Sequence, residues 1–165
     1  MTFADLPPNA TVFVDANTLV YHFQPHPVLG PPCTALVKRI ELKELTGVTS
    51  THVLSEIAHR LMTMEASINF GWKSKIVDRL KQDPTAVQKL VRFRQAIQQI
   101  TQLGIHALTI PAALIDTAAS ISQQTGLLSN DALVVAVMQA NGLTSLASND
   151  RDFDRVSGIA RYGPL

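Results

Sequence analysis

Four acidic residues, widely separated in the chain, each sit beside an apolar run. Asp15 ends "TVFVD", Glu56 lies in "HVLSEIAHRLMTM", Asp131 opens "DALVVAVMQANG", and Asp150 follows "LTSLASN". Carboxylates that converge without a cation repel, and some must then hold protons. No Lys or Arg adjoins Asp15, Glu56 or Asp131 in sequence. An all-oxygen set of this kind suits a hard divalent cation, Mg²⁺ or Mn²⁺, better than zinc. Mg²⁺ keeps several waters and takes phosphate readily, so the chemistry such a cluster supports is metal-assisted phosphoester hydrolysis. Taken singly, each acid also has a structural explanation. Asp131 in a first helical turn gains about 0.3–1 kcal/mol from the helix dipole. Asn149-Asp150 is ordinary turn chemistry, and Glu56 can be an exposed helical residue. Asp15 is the hardest to explain that way, because an acid directly after "VFV" is partly buried and an unpaired buried charge is costly.

Whether the four acids meet depends on the elements that carry them. Val12 to Val14 form a β-branched and aromatic run that reads as a buried strand ending at Asp15. A Pro-rich loop, "QPHPVLGPP", leads to a helix over "CTALVKRIELKEL", with Leu36, Val37, Ile40 and Leu42 on one face. "GVTS" reads as a second strand, and Ser50 or Thr51 caps the helix that carries Glu56. Beside the face of Val53, Leu54, Ile57 and Leu61, Glu56 stands one to two turns from that helix's start, at about 100° per residue. From Met64 to Leu103 the pattern stays helical, with breaks at Gly71 and at Gln82–Pro84, which predicts two extra helices. "IHALTI" is a third strand. A helix with Pro111 near its start and Gly126 after its end follows, then a helix from "NDALVV" to Gly142. "LTSLAS" is the fourth strand and "GIARY" a short fifth. Strands alternating with helices predict a single α/β/α domain over residues 1–165, with a parallel sheet of four to five strands. Carboxyl ends of parallel strands share one edge, and helices that follow strands begin near it, so Asp15, Asp131 and Asp150 are predicted to gather there.

Composition narrows the class. Apolar residues make up 46% of the 165 and charged residues 16%, which excludes a disordered chain. No apolar run reaches the roughly 18 residues of a membrane span, and "MTFADLPPNA" lacks the features of a signal peptide. Cys33 is the single cysteine, so neither an internal disulfide nor a zinc-thiolate site is available, and a reduced, cytoplasmic protein is expected. Net charge is only +1, yet residues 60–94 hold eight cations against three acids, and the remainder six against ten. This helical arm is a candidate polyanion surface, with Lys73, Lys75, Arg79, Arg92 and Arg94 as its candidate contacts; a solvated helix face is the simpler reading of charge alone. Trp72 can stack on a base or pack within the arm. The five histidines form no metal motif, and core packing or solvent exposure accounts for them.

The motifs resemble, in order, those of PIN domains, and specifically the VapC-type toxins of bacterial toxin–antitoxin pairs. "VFVDANTLVYHF" resembles the family's opening strand with its Asp, followed here by Asn17. "TSTHVLSEIAHRL" resembles the second motif, and "GLLSNDALVVAVMQANG" the third. "LTSLASNDRDFDRV" resembles the last, with Ser148 as its hydroxyl residue. The resemblance implies a divalent-metal ribonuclease, typically a homodimer, held inactive by a cognate antitoxin. It also implies Asp15 and Asp131 as the most direct metal ligands, completed by Asp150 and Glu56. Within "SNDRDFD", Asp152 is a secondary candidate acting through water or a second metal. Asp154 reads as a surface residue, with Arg151 and Arg155 offsetting charge. The 64–103 arm is extra to the compact form of the family, and an antitoxin or a second subunit could dock there instead of RNA. Two alternatives stay open: a non-catalytic PIN module that binds RNA or protein, and a haloacid-dehalogenase-like phosphatase. The latter needs a second acid two residues after the first, where this chain has Asn17.

Overall fold

The computed structural model describes residues 1–24 and 26–165; Pro25, inside the predicted Pro-rich loop, lies outside the described residues. The strands are β1 (Thr11–Val14), β2 (Thr46–Ser50), β3 (His106–Leu108), β4 (Ser145–Ala147) and β5 (Ala160–Tyr162). They form one parallel sheet in the order β3-β2-β1-β4-β5. Side chains alternate between the two faces of a strand. Val12, Phe13 and Val14 are nevertheless all fully buried, so both faces of the sheet are covered. This is the predicted α/β/α architecture, with five strands.

The helices, in chain order, are α1 (Ala16–Phe23), α2 (Gly30–Glu41), α3 (Thr51–Phe70), α4 (Ile76–Gln82), α5 (Pro84–Gln88), α6 (Arg92–Gln102), α7 (Ala113–Thr125) and α8 (Ser129–Ala140). Several differ from expectation. Sequence pattern alone does not announce α1, because its apolar residues continue the strand's run; it starts where the Asp15 side chain accepts the Ala16 N–H. Helix α2 begins at Gly30, so Pro31 and Pro32 occupy its first turn, where a missing N–H breaks no helical bond. It ends before Leu42, which is exposed rather than part of its buried face. Strand β3 is only three residues long, half the predicted run.

Between Gly71 and Leu103 there are three helices where two are predicted. The break at Asp83 arises because its carboxylate accepts the Thr85 and Ala86 N–H groups and starts α5. A second break, at Lys89–Val91, has no Gly or Pro to signal it. Glu65 of α3 explains it: its buried carboxylate accepts the Val91 N–H at 3.0 Å and the Arg92 N–H at 2.9 Å, serving the free donors at the start of α6. Ala96 and Ile100 of α6 join the main core. Helices α4 and α5 rest on a separate small cluster of Ala66, Leu80, Ala86 and Leu90.

Candidate active site

The chain runs from β1 to β2 and β3 on one side, then crosses back to β4 and β5 on the other. A sheet of this order has its topological switch between β1 and β4, and open α/β sheets bind ligands outside the strand ends there. The pairings Phe13 with Leu146 and Val14 with Ala147 bring Asp15 level with Ser148. A hydrogen-bonded hub results. Ser148 Oγ donates to Asp15 Oδ2 at 2.7 Å, and Asn17 Nδ2 donates to the same oxygen and, at 2.9 Å, to Ser148 Oγ. Ala16 N–H donates to Asp15 Oδ1 at 2.7 Å. The Asp150 N–H donates to Ser148 Oγ at 3.0 Å, so one buried hydroxyl joins the acids that end β1 and follow β4. Asn17 Oδ1 accepts the Asn149 N–H at 3.0 Å, and Thr18 Oγ1 donates to the Ala147 carbonyl at 3.0 Å.

Helices bring the other two acids. Ser50 caps α3 by accepting the Val53 N–H, which sets Glu56 in the second turn. Asp131 is in the first turn of α8. Glu56 and Asp131 line an open pocket of about 420 Å³ with Leu128, Ser129 and Asn130. Burial is the main cause that raises the Asp15 carboxyl from 3.8 to about 6; the Ser148 and Ala16 hydrogen bonds oppose it, and the charges of Glu56 and Asp131 add to it. Asp131 is raised by burial, then by the charges of Asp150, Glu56 and Asp152, against a lowering from His52. Glu56 and Asp131 thus act on Asp15, and Asp150 and Glu56 on Asp131, with Asn17 and Ser148 bridging β1 and the end of β4.

The hub also departs from the sequence reading. Glu56 is not without a counter-charge, because Arg60, one helical turn on, has Nη1 at 3.5 Å from its Oε1. His52, expected only to pack or face solvent, lies one turn before Glu56, acts on Asp131, and has an Nε2 that is buried without a partner among the described residues. Its spacing of four from Glu56 was the available signal. Asp152 pairs with Arg155 at 2.6 Å, while Asp154 pairs with Arg161 rather than with Arg151 or Arg155. Trp72 is packed on Phe70 at 4.8 Å between ring centroids, with the Arg79 guanidinium over it at 5.6 Å. Lys73, Lys75, Arg79, Arg92 and Arg94 are exposed, and none of them is among the charges acting on Asp15 or Asp131.

Among the described residues, no three His, Cys, Asp or Glu side chains are drawn to a single point as a ready metal cage. The donor chemistry still fits a hard cation. Mg²⁺ needs only one or two direct carboxylates and keeps water elsewhere. A carboxylate has about four lone-pair sites, and Asp15 uses three, which leaves Oδ1 one further acceptor position.

Residues 12–159 match the PIN domain family, and the chain belongs to it. Solved structures with the same fold include VapBC2 from Rickettsia felis bound to a DNA fragment from its promoter. That match has 18% identity and a TM-score of 0.58, covering 93% of this chain and 98% of that one. Mycobacterium tuberculosis VapC20, a sarcin–ricin loop cleaving toxin, has 18% identity and a TM-score of 0.59, over 87% of this chain and 92% of that one. A toxin–antitoxin complex from Klebsiella pneumoniae has 15% identity and a TM-score of 0.55, over 90% and 95%. At these identities the likeness is one of fold. A search of curated proteins returned no significant match.

Proposed function

We propose that this PIN domain is a divalent-metal-dependent endoribonuclease, the cytoplasmic toxin of a toxin–antitoxin pair. The observation that carries the reading is Asp15: a buried carboxyl, raised to about 6, facing further acids and paired with no Lys or Arg among the described residues. Such a site is unfavourable alone and is relieved by a cation. Asp15, Asp131, Asp150 and Glu56 would hold Mg²⁺ or Mn²⁺, Asp15 and Asp131 most directly, with Asp152 reaching it through water. When bound, the cation activates water and offsets charge on the phosphodiester and the departing oxygen. The chain's own residues prepare this. Ser148 and Asn17 fix the Asp15 oxygen they bond, Arg60 restrains Glu56, and the pocket of Leu128 to Asp131 leaves room for the RNA strand.

Exposed cations of the arm supply a surface for the RNA backbone, with Lys73, Lys75, Arg92 and Arg94 free of any ion pair among the described residues. A cognate antitoxin is an expected protein partner, supported by the fold's likeness to toxins solved in toxin–antitoxin complexes, and a second copy of the chain is the other expected partner. Asn17 disfavours the phosphatase alternative: its amide nitrogen donates to Asp15 and cannot serve as the second acid. The test is cleavage of RNA by the wild type and by Asp15→Asn with Mg²⁺ or Mn²⁺. Metal-dependent cleavage lost in the variant is expected. Equal cleavage by both, or none by the wild type with either metal, leaves a binding module as the reading.

A further inference from the structure

We infer that Arg161 is a positioning residue for the acid site, held in place by Asp154 and acting through Ser148. The catalytic part of this inference rests on the nuclease reading; the structural part does not. Arg161 lies on β5, paired with Leu146 of β4, two residues before Ser148. Its Nη1 donates to the Ser148 carbonyl at 3.1 Å. Its Nε and Nη2 donate to the two Asp154 oxygens at 2.7 and 3.0 Å, a fork-to-fork pairing that fixes the guanidinium plane. The Arg161 side chain is only 13% exposed although its partner Asp154 faces solvent, so the pair is anchored from inside. Gly163 makes room for it: a Cβ there would stand 3.0 Å from Arg161 Nη1.

Ser148 follows a strand of only three residues, so the sheet ladder restrains it weakly. Its N–H reaches the Tyr162 carbonyl at 3.0 Å, and the described residues supply no donor to its carbonyl besides Arg161. The same residue carries the hydroxyl that joins Asp15 to Asp150. Three links therefore connect a surface acid to the buried one: Asp154 to Arg161, Arg161 to the Ser148 backbone, and the Ser148 hydroxyl to Asp15. A lysine could not replace the arginine, because a point charge cannot fork onto Asp154 while also serving the carbonyl. On this view Asp154 is part of the site's support.

The experiment uses the full chain as wild type, Arg161→Met, Asp154→Asn, Ser148→Ala and the Arg161→Met/Ser148→Ala double variant. Two readouts are taken: amide hydrogen exchange at Ser148–Asp150, and kcat and KM for cleavage of a short RNA with Mn²⁺. Exchange at those amides is expected to quicken in Arg161→Met and, by less, in Asp154→Asn. In Arg161→Met kcat is expected to fall about tenfold or more with KM held, and the double variant to be no slower than Ser148→Ala alone. Unchanged exchange in both Arg161→Met and Asp154→Asn overturns the clamp whether or not the chain cleaves RNA. Additive loss in the double variant overturns the route through Ser148. Should Arg161→Met exchange faster throughout the fold, Asp154→Asn, which removes only the exposed partner, decides. A wild type that cleaves nothing removes the nuclease reading, and exchange then judges the clamp by itself.

Discussion

At the β1–β4 edge the key acid, Asp15, is buried and accepts three hydrogen bonds, and that burial, more than the nearby charges of Glu56 and Asp131, pushes its carboxyl up to about 6. In the arm, Lys73, Lys75 and Arg94 stand in solvent on a loop and short helices, with only a four-residue buried cluster beneath α4 and α5. The two regions hold charge in opposite ways. Buried charge costs folding energy and is kept where something else will offset it. Exposed cations cost little and contribute little, which leaves them free for a polyanion. The site is therefore expected to respond to substitution through chemistry and metal, and the arm through binding and local stability.

The largest effect expected is on turnover. Asp15→Asn should lower metal-dependent RNA cleavage by about 10²–10³-fold or more, measured as kcat/KM. The same residue should behave oppositely in stability. Its native carboxyl, at about 6, lies above the ordinary 3.8, so the native state binds the proton more tightly than the unfolded chain. The stability this contributes is complete below about pH 3.8 and is lost as pH rises through about 6. Without metal at pH 7.5, Asp15→Asn is accordingly expected to stabilise the fold, by at most about 2–3 kcal/mol. Thermal melts across pH 4–8 check this, and a variant that melts lower than wild type at pH 7.5 argues against an uncompensated charge. Mg²⁺ should raise the wild-type melting temperature above pH 6 and leave that of Asp15→Asn unmoved.

Effects in the arm are smaller and of another kind. Glu65→Gln replaces one of two carboxylate oxygens that serve the start of α6, at a cost of about 2 kcal/mol. Hydrogen exchange should show the loss concentrated around Val91 and Arg92, with kcat retained. A fall in kcat matching that of Asp15→Asn would erase the distinction between the regions. Smallest is Lys73→Gln with Lys75→Gln: KM for RNA should rise a few-fold with kcat unchanged. The slope of log affinity against log salt should lessen by roughly 0.7 per lost phosphate contact. No change in that slope would move the RNA surface elsewhere.

Much of this was legible in one dimension. Continuous apolar runs such as Val12–Val14 specify buried strands, and Gly126 ends α7 in the left-handed conformation that favours glycine. Alternation of strand and helix then implies a parallel sheet, so the acids at strand ends and helix starts had to face one edge. What the pattern hid were features set by partners distant in sequence. Helix α1 was masked because its apolar residues continue those of β1. The break before α6 depends on Glu65, 26 positions earlier than the Val91 it serves. Arg60 and His52 each stand four positions from Glu56, so their place one helical turn from it is legible in the spacing, whereas the charge that His52 exerts on Asp131 is set by the fold.

The sequence by itself determined the fold class, the succession of the five strands along the chain and the four acids expected at their common edge, because periodicity and short-range turn chemistry act locally. Only the tertiary structure decided how those acids are held. Parallel register placed the Ser148 hydroxyl between Asp15 and Asp150, and β5 brought Arg161 to the Ser148 carbonyl. Asp152 and Asp154, near neighbours in "SNDRDFD", parted company for the same reason. One pairs with Arg155 within its own turn, the other with Arg161 seven residues on. Hydrogen bonds and charge act across space, and the distances they depend on exist only once the sheet has formed.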